Sequence, residues 1–189
     1  CCGFNTWVLL HLMRNYFFYI IFLFFLLITN HSFASHIVGG DFKITMTSNT
    51  GAGANYIFQL RLYKDEINAN FSANIPTSAT IGIYDAVTHS LVSTQYLNRT
   101  SLGFVTLGDP CYTPDPNVVK IEEGIFINST PKFLANNPNG YYIQYQAYAR
   151  NGIVLNMQSP SSKGITIFAM FPDPAFGQNS SPDFGVYPP

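Results

Sequence analysis

Few side chains in this sequence could do covalent chemistry. Beyond residue 34 there are two histidines, His36 and His89, one cysteine, Cys111, and ten carboxylates spread along the chain. Glu122 and Glu123 come nearest to the carboxylate pair of a hydrolase. Neighbours on a strand project to opposite faces, however, so the two cannot flank one bond, and a solvated strand face is their expected setting. Asp109 and Asp115 lie in the proline-rich stretch GDPCYTPDPN and offer oxygen ligands of the kind Ca²⁺ takes, but without a recognisable ligand spacing. They read as ordinary turn residues. Two histidines and one cysteine do not make a zinc site of the usual composition. The sequence therefore assigns no catalytic, cofactor-binding or metal-ligating residue.

The segment Ile37-Val38-Gly39-Gly40 invites comparison with the new N-terminus of an activated chymotrypsin-like protease. That chemistry needs a serine nucleophile, a histidine base and a buried aspartate. Here Gly108-Asp109-Pro110 has proline where the serine should stand, and no Lys or Arg precedes Ile37 for an activating cut.

One segment has a surface suited to non-covalent recognition. In Tyr141 to Ala149, Tyr141, Ile143, Tyr145 and Ala147 share one face of a strand, while Tyr142, Gln144, Gln146 and Tyr148 share the other. The first set is expected in the core. The second interleaves rings with amides, so that apolar platforms alternate with groups that bond hydroxyls. Tyr142, Gln144, Gln146 and Tyr148 are therefore the candidate ligand or partner face, with glycans and proteins both open as partners. Cross-strand aromatic pairing would produce the same pattern without a ligand.

Strands are needed to hold such a face. From Ser35 onward, short β-branched and aromatic runs alternate with Gly, Pro, Asn and Ser clusters. The clearest run is Tyr56 to Tyr63, where Phe58, Leu60 and Leu62 fall on one side and Gln59 and Arg61 on the other. Further strands are expected at Phe42 to Met46, Ala79 to Asp85, Leu91 to Leu97, Phe104 to Leu107, Val118 to Ile127, Tyr141 to Ala149, Ile153 to Asn156 and Ile165 to Phe171. About nine strands and no helix predict an all-β, antiparallel sandwich, immunoglobulin-like or similar. Asn151-Gly152 favours a hairpin between the strands on either side. Gly140-Tyr141-Tyr142 has the G-x-Y form of a tyrosine corner, in which the ring hydroxyl bonds back to the backbone.

The N-terminal region reads differently. Tyr16 to Ile28 is an uninterrupted apolar run of thirteen residues, where a membrane-spanning helix needs about 20. Met13-Arg14 precedes it, and Ser32-Phe33-Ala34 places small residues at the −3 and −1 positions of a signal-peptidase site. The expected organisation is residues 1–12 as translation from upstream of the true start, 13–34 as a signal peptide, 35–171 as the β-sandwich domain and 172–189 as a Pro/Ser/Gly-rich linker to a further domain. Secretion, to the extracellular space or cell surface, follows from that leader, with no membrane span in the mature chain. Setting Arg14 aside leaves eight basic and ten acidic residues, a net charge of −2 without a basic stripe, which excludes ordinary nucleic-acid binding. Cys111 then has no internal disulfide partner and is expected as a small buried apolar residue; a bond to a later part of a longer protein is the alternative. About 155 residues can bury enough surface to fold without such a bridge.

Several segments together resemble the first domain of the gliding motility-associated proteins of gliding bacteria. Ala34-Ser35-His36-Ile37-Val38-Gly39-Gly40-Asp41 resembles the family's opening A-x-H-I-V-G-G-E. Ile81-Gly82-Ile83-Tyr84-Asp85 resembles its I-G-V-F/Y strand, and Pro110-Cys111 its P-C pair. Gly140-Tyr141, Tyr145-Gln146 and Arg150-Asn151 resemble its G-Y-x-x-x-Y-Q-R-C-C-R-N segment, and Asn179-Ser180-Ser181-Pro182 with Phe184 its N-S-S-P-x-F. Tyr148 and Ala149 stand where the family has paired cysteines, and Val118-Val119-Lys120-Ile121-Glu122 where it often has V-C-V-E, so the family's disulfides are absent. The resemblance implies a multidomain secreted or surface protein, adhesive in character, with a C-terminal sorting domain for type IX secretion. The functional expectation is a non-enzymatic structural and interaction module at the start of such a protein, contacting the downstream domains of its own chain and surface glycans or proteins. A carbohydrate-binding accessory domain of a secreted hydrolase is the alternative.

Overall fold

The computed structural model describes residues 37–67, 74–106, 115, 117–148, 156–160 and 163–181. Eight strands account for most of them: β1 (Ile37–Asn49), β2 (Gly53–Asp65), β3 (Ser78–Asp85), β4 (Leu91–Phe104), β5 (Ile121–Ile127), β6 (Lys132–Ala135), β7 (Tyr141–Ala147) and β8 (Ile165–Phe171). A single 3-10 turn, Pro174–Phe176, follows β8. The order is β1-β2-β5-β4-β3-β7-β8, with β6 added beside the first part of β2, and every pairing is antiparallel. The all-β antiparallel expectation holds, as one curved sheet nearly closed into a barrel- or sandwich-like shell.

Two long strands make the curvature. β4 pairs with β3 through Leu97 and Asn98, then moves to β5 from Asn98 onward, with a bulge between Arg99 and Ser101. Bulges bend a strand and tighten its twist. β2 pairs with β1 throughout, but its other edge changes partner, from β6 at Gly53–Tyr56 to β5 at Gln59–Asp65. The handover leaves Ile57 and Phe58 without a strand on that side, and Asn128, just past β5, fills the gap. Its Oδ1 accepts from Phe58 N at 2.7 Å, and its Nδ2 donates to Tyr56 O at 3.2 Å and Thr130 O at 2.7 Å.

The core follows from the period of two. Tyr56, Phe58, Leu60 and Leu62 of β2 are all buried, facing Ile81 and Ile83 of β3, Phe126 of β5, Ile143 of β7 and Ile167 of β8. Aromatic contacts join strands distant in the sheet order: the Phe171 ring lies 5.1 Å from Tyr56 and 6.2 Å from Phe58. The shell's two edges, β1 and β8, share no hydrogen-bonded ladder and meet through side chains instead. A methyl group at Gly40 would stand 2.5 Å from Ile167 Cδ1 and closer still to Arg61 O.

Several sequence expectations need adjustment. The runs Leu91 to Leu97 and Phe104 to Leu107 belong to one strand as far as Phe104, because the bulge lets β4 continue. The short β6 was not expected. The Asn151-Gly152 hairpin and most of the Ile153 to Asn156 strand lie outside the described residues, and β7 pairs with β8. In Gly140-Tyr141-Tyr142 it is Tyr141, not Tyr142, whose hydroxyl bonds back to the backbone, at Ala135 O (2.9 Å). Gly140 takes φ +70, a left-handed turn that suits glycine. The first part of the expected linker is tied to the sheet. Ser181 N donates to Ile44 O (2.8 Å), Ile44 N to Ser181 Oγ (2.7 Å), Met46 N to Ser180 Oγ (3.1 Å) and Asn49 Nδ2 to Pro174 O (2.9 Å). Among the described residues no helix is long and apolar enough to cross a membrane.

Candidate functional site

The alternation expected along β7 is present. Tyr141, Ile143 and Tyr145 are buried and Ala147 packs partly against them, while Tyr142 and Gln144 are half-buried and Gln146 is exposed on the opposite face. Tyr148, just past the end of β7, is 63% exposed. Burial pushes the Tyr145 phenol above its ordinary value; for Tyr141 burial leads again, with the Asp173 and Asp85 charges adding to it.

Neighbouring strands extend this outer face. The register sets Tyr142 between Tyr84 of β3 and Met170 of β8, and Gln144 between Gly82 and Phe168; Gln146 sits opposite Thr166. On β4, Thr94 lies opposite Gly82 and Tyr96 opposite Thr80. Val92, Thr94 and Tyr96 of β4, Thr80, Gly82 and Tyr84 of β3, Tyr142, Gln144 and Gln146 of β7, and Thr166, Phe168 and Met170 of β8 all fall on the outer side of the alternation. None of these twelve is Asp, Glu, Lys or Arg. Phe168 (64%), Met170 (63%) and Tyr96 (55%) are exposed large apolar residues. The outer side of β1, β2 and β5 is unlike this: Arg61 lies 3.6 Å from Asp41 and 3.9 Å from Glu123, and Tyr63 OH donates to Asp41 Oδ2 at 2.8 Å.

Local structure arranges the rings. Tyr84 and Tyr142 stack with centroids 4.9 Å apart and planes 11° from parallel, a separation that matches the spacing of adjacent strands, ~4.8 Å. Glycine at 82 permits this. A side chain there would meet the Tyr84 ring, whose hydroxyl lies 2.6 Å from the position a Cβ would take. His89, at the end of the β3–β4 turn with φ 57, places its ring edge-on to Tyr142 at 5.8 Å.

Asp85 organises that turn. Its carboxylate accepts from Val87 N (2.9 Å), Thr88 N (2.7 Å), Asn137 Nδ2 (2.9 Å) and Asn139 Nδ2 (2.9 Å). The hydrogen bond from the Thr88 backbone, followed by those from Asn139 and Asn137, holds the carboxyl well below the usual carboxylate range despite some opposing desolvation. The same bonds fasten the 136–140 turn to the 85–90 turn at one end of the stacked tyrosines. Asn137 N is bonded in addition to Asp173 Oδ1 (2.8 Å), which links this end to the segment after β8.

The other residues weighed from sequence stay apart from the face. Glu123 is within the Arg61 ion pairs and Glu122 lies opposite Lys64 on β2. Asp115 Oδ1 accepts from Asn117 N and Nδ2, a turn contact, while Asp109 and Cys111 lie outside the described residues. No group of three or more His, Cys, Asp or Glu placed to hold a metal occurs among the described residues. Sequence reasoning identified the β7 members of the face but missed Tyr84, His89, Tyr96, Phe168 and Met170. Period-two alternation in β3, β4 and β8 would have pointed most of them outward, but not placed them beside β7.

The chain matches no protein-family model, no curated protein and no solved structure.

Proposed function

We propose that this chain is a non-enzymatic structural and interaction module at the N-terminus of a large secreted or cell-surface adhesin-like protein, of the gliding motility-associated kind. The observation that carries this reading is the uncharged outer face of β4, β3, β7 and β8, where rings and amides remain open to solvent. Exposed apolar groups grouped on one face mark contact surfaces more often than chance exposure does. The residues that resemble the family support it as well. Ile37 to Asp41 open β1, Ile81 to Asp85 lie in β3, Tyr141, Tyr145 and Gln146 lie in β7, and Ser180 and Ser181 bond the edge of β1, so four of the matched motifs lie in or against the sheet.

A test uses beads coated with the purified protein and surfaces coated with agarose, alginate or collagen. Wild-type beads are expected to be retained on at least one surface, and beads carrying Tyr142→Ala with Phe168→Ala to be released from it. Equal retention of the two, or none of either, would reduce the domain to a spacer. The accessory-domain reading uses the same face and differs only in calling for a hydrolase downstream.

A further inference from the structure

We propose that the outer face of β3, β7 and β8 binds a neutral glycan chain, with Tyr142, Gln144 and Phe168 as its central contacts. The proposal rests on the reading of this face as the module's contact surface and adds the chemistry of the ligand.

Charge selects among ligands first. An acidic polysaccharide or a nucleic acid gains affinity by pairing its charges with Lys and Arg. The outward positions of these strands supply neither, whereas the outer side of β1, β2 and β5 carries Arg61 beside both Asp41 and Glu123. A neutral ligand is the complement of a neutral face.

The grain of the surface selects next. A protein interface gathers its apolar residues in a central patch with a polar rim. Here the centre is mixed: Gln144 lies directly between Gly82 and Phe168, and the row beside it places Tyr142 between Tyr84 and Met170. Apolar and hydrogen-bonding groups thus lie side by side, Gln144 one strand spacing, ~4.8 Å, from Phe168 and one two-residue step, ~6.8 Å, from Tyr142. A pyranose ring alternates on that scale, with a face of C–H groups and a rim of hydroxyls. Rings supply the apolar contact, and an amide can donate to and accept from hydroxyls at the same time. The Tyr84–Tyr142 stack holds its rings without a ligand, so less side-chain freedom is lost on binding.

The test is calorimetric titration of the purified protein with soluble neutral hexaoses (cellohexaose, mannohexaose, maltohexaose) and with two acidic chains, hyaluronan and polygalacturonate. At least one neutral hexaose is expected to bind, with an affinity insensitive to added salt. Tyr142→Ala and Phe168→Ala are expected to weaken it about tenfold each, the equivalent of about 1.4 kcal/mol. Gln144→Ala should weaken it as well, while a melt unchanged from wild type confirms that this outward substitution leaves the fold intact. Binding of the acidic chains alone, or affinity unchanged in all three variants, overturns the proposal. Retention of beads on collagen without binding of any hexaose overturns the ligand class and leaves the interaction reading standing. Failure of both assays removes both.

Discussion

Replacing Asn128 by alanine is expected to cost the fold about 3 kcal/mol. The side chain is 2% exposed and stands in for a missing strand where β2 changes partner. Its removal leaves the buried Phe58 N–H with no acceptor and takes one donor from each of Tyr56 O and Thr130 O. A buried donor left unsatisfied costs about 1–3 kcal/mol, and the two lost carbonyl bonds add roughly 1 kcal/mol together, since each carbonyl keeps other means of satisfaction. For a domain of this size the loss lowers the melting temperature by about 10 °C. Asn128→Leu, which keeps much of the volume without the polar atoms, should lose nearly as much, separating the hydrogen bonds from the packing. Denaturant melts of the three proteins measure the loss, and amide exchange reads the Phe58 N–H directly. A cost under about 1 kcal/mol for both variants, or an unchanged Phe58 exchange rate, would refute the claim that this side chain completes the β2 edge.

Gly40→Val should destabilise by about 1–3 kcal/mol, because the added atoms meet Arg61 O and Ile167 Cδ1; adding Ile167→Ala should not restore stability, since the backbone oxygen cannot move away, and melts of the single and double variants measure this. Asp85→Asn should lower stability at neutral pH, with the gap to wild type narrowing in acid. The folded-state value of Asp85 is depressed, so its contribution is present above the ordinary carboxylate value of about 3.9 and lost as pH falls through the folded one; melts from pH 7 downward check the sign. Burial, aided by Tyr141 and Asp173, pushes Tyr56 up to about 12, so an absorbance titration should show a late phenolate component that Tyr56→Phe removes. A raised value means that this stabilising contribution is complete below pH 10 and lost as pH rises through about 12, and alkaline melts should show the decline.

The face of a strand was easier to read than its neighbours. Tyr56 to Tyr63 and Tyr141 to Ala147 alternate so regularly that their buried sides follow from spacing alone, and those sides are the ones in the core. β6 gave no such signal, since Lys132–Ala135 is too short to show a period and gains its place from pairing with β2. β4 appeared as two strands because the bulge at Arg99–Ser101 breaks the alternation that spacing relies on. The site was legible only along β7. Tyr84 is 58 positions before Tyr142 and Phe168 is 24 positions after Gln144, and nothing in those separations indicates that the register sets them side by side. The same holds for the serines after β8: their polar, proline-flanked setting reads as tether, and their hold on β1 depends on where the chain returns.

The direction of the two edge strands has a consequence for how this shell opens. Six antiparallel steps lead from β1 to β8, so the first and last strands of that path run the same way. A ring closed by antiparallel ladders throughout requires an even number of strands, and this path has seven. Among the described residues, the margin of β1 away from β2 forms no ladder with β8, and its Ile44 and Met46 are bonded instead by the returning Ser181 and Ser180. Parting the shell along that line disrupts side-chain packing at Ile167 and a handful of serine contacts, whereas parting it anywhere else breaks a full ladder. Thermal opening should accordingly begin there, as a zip fastener starts at its unjoined end, with β1 and β8 losing exchange protection before the central β5, β4 and β3.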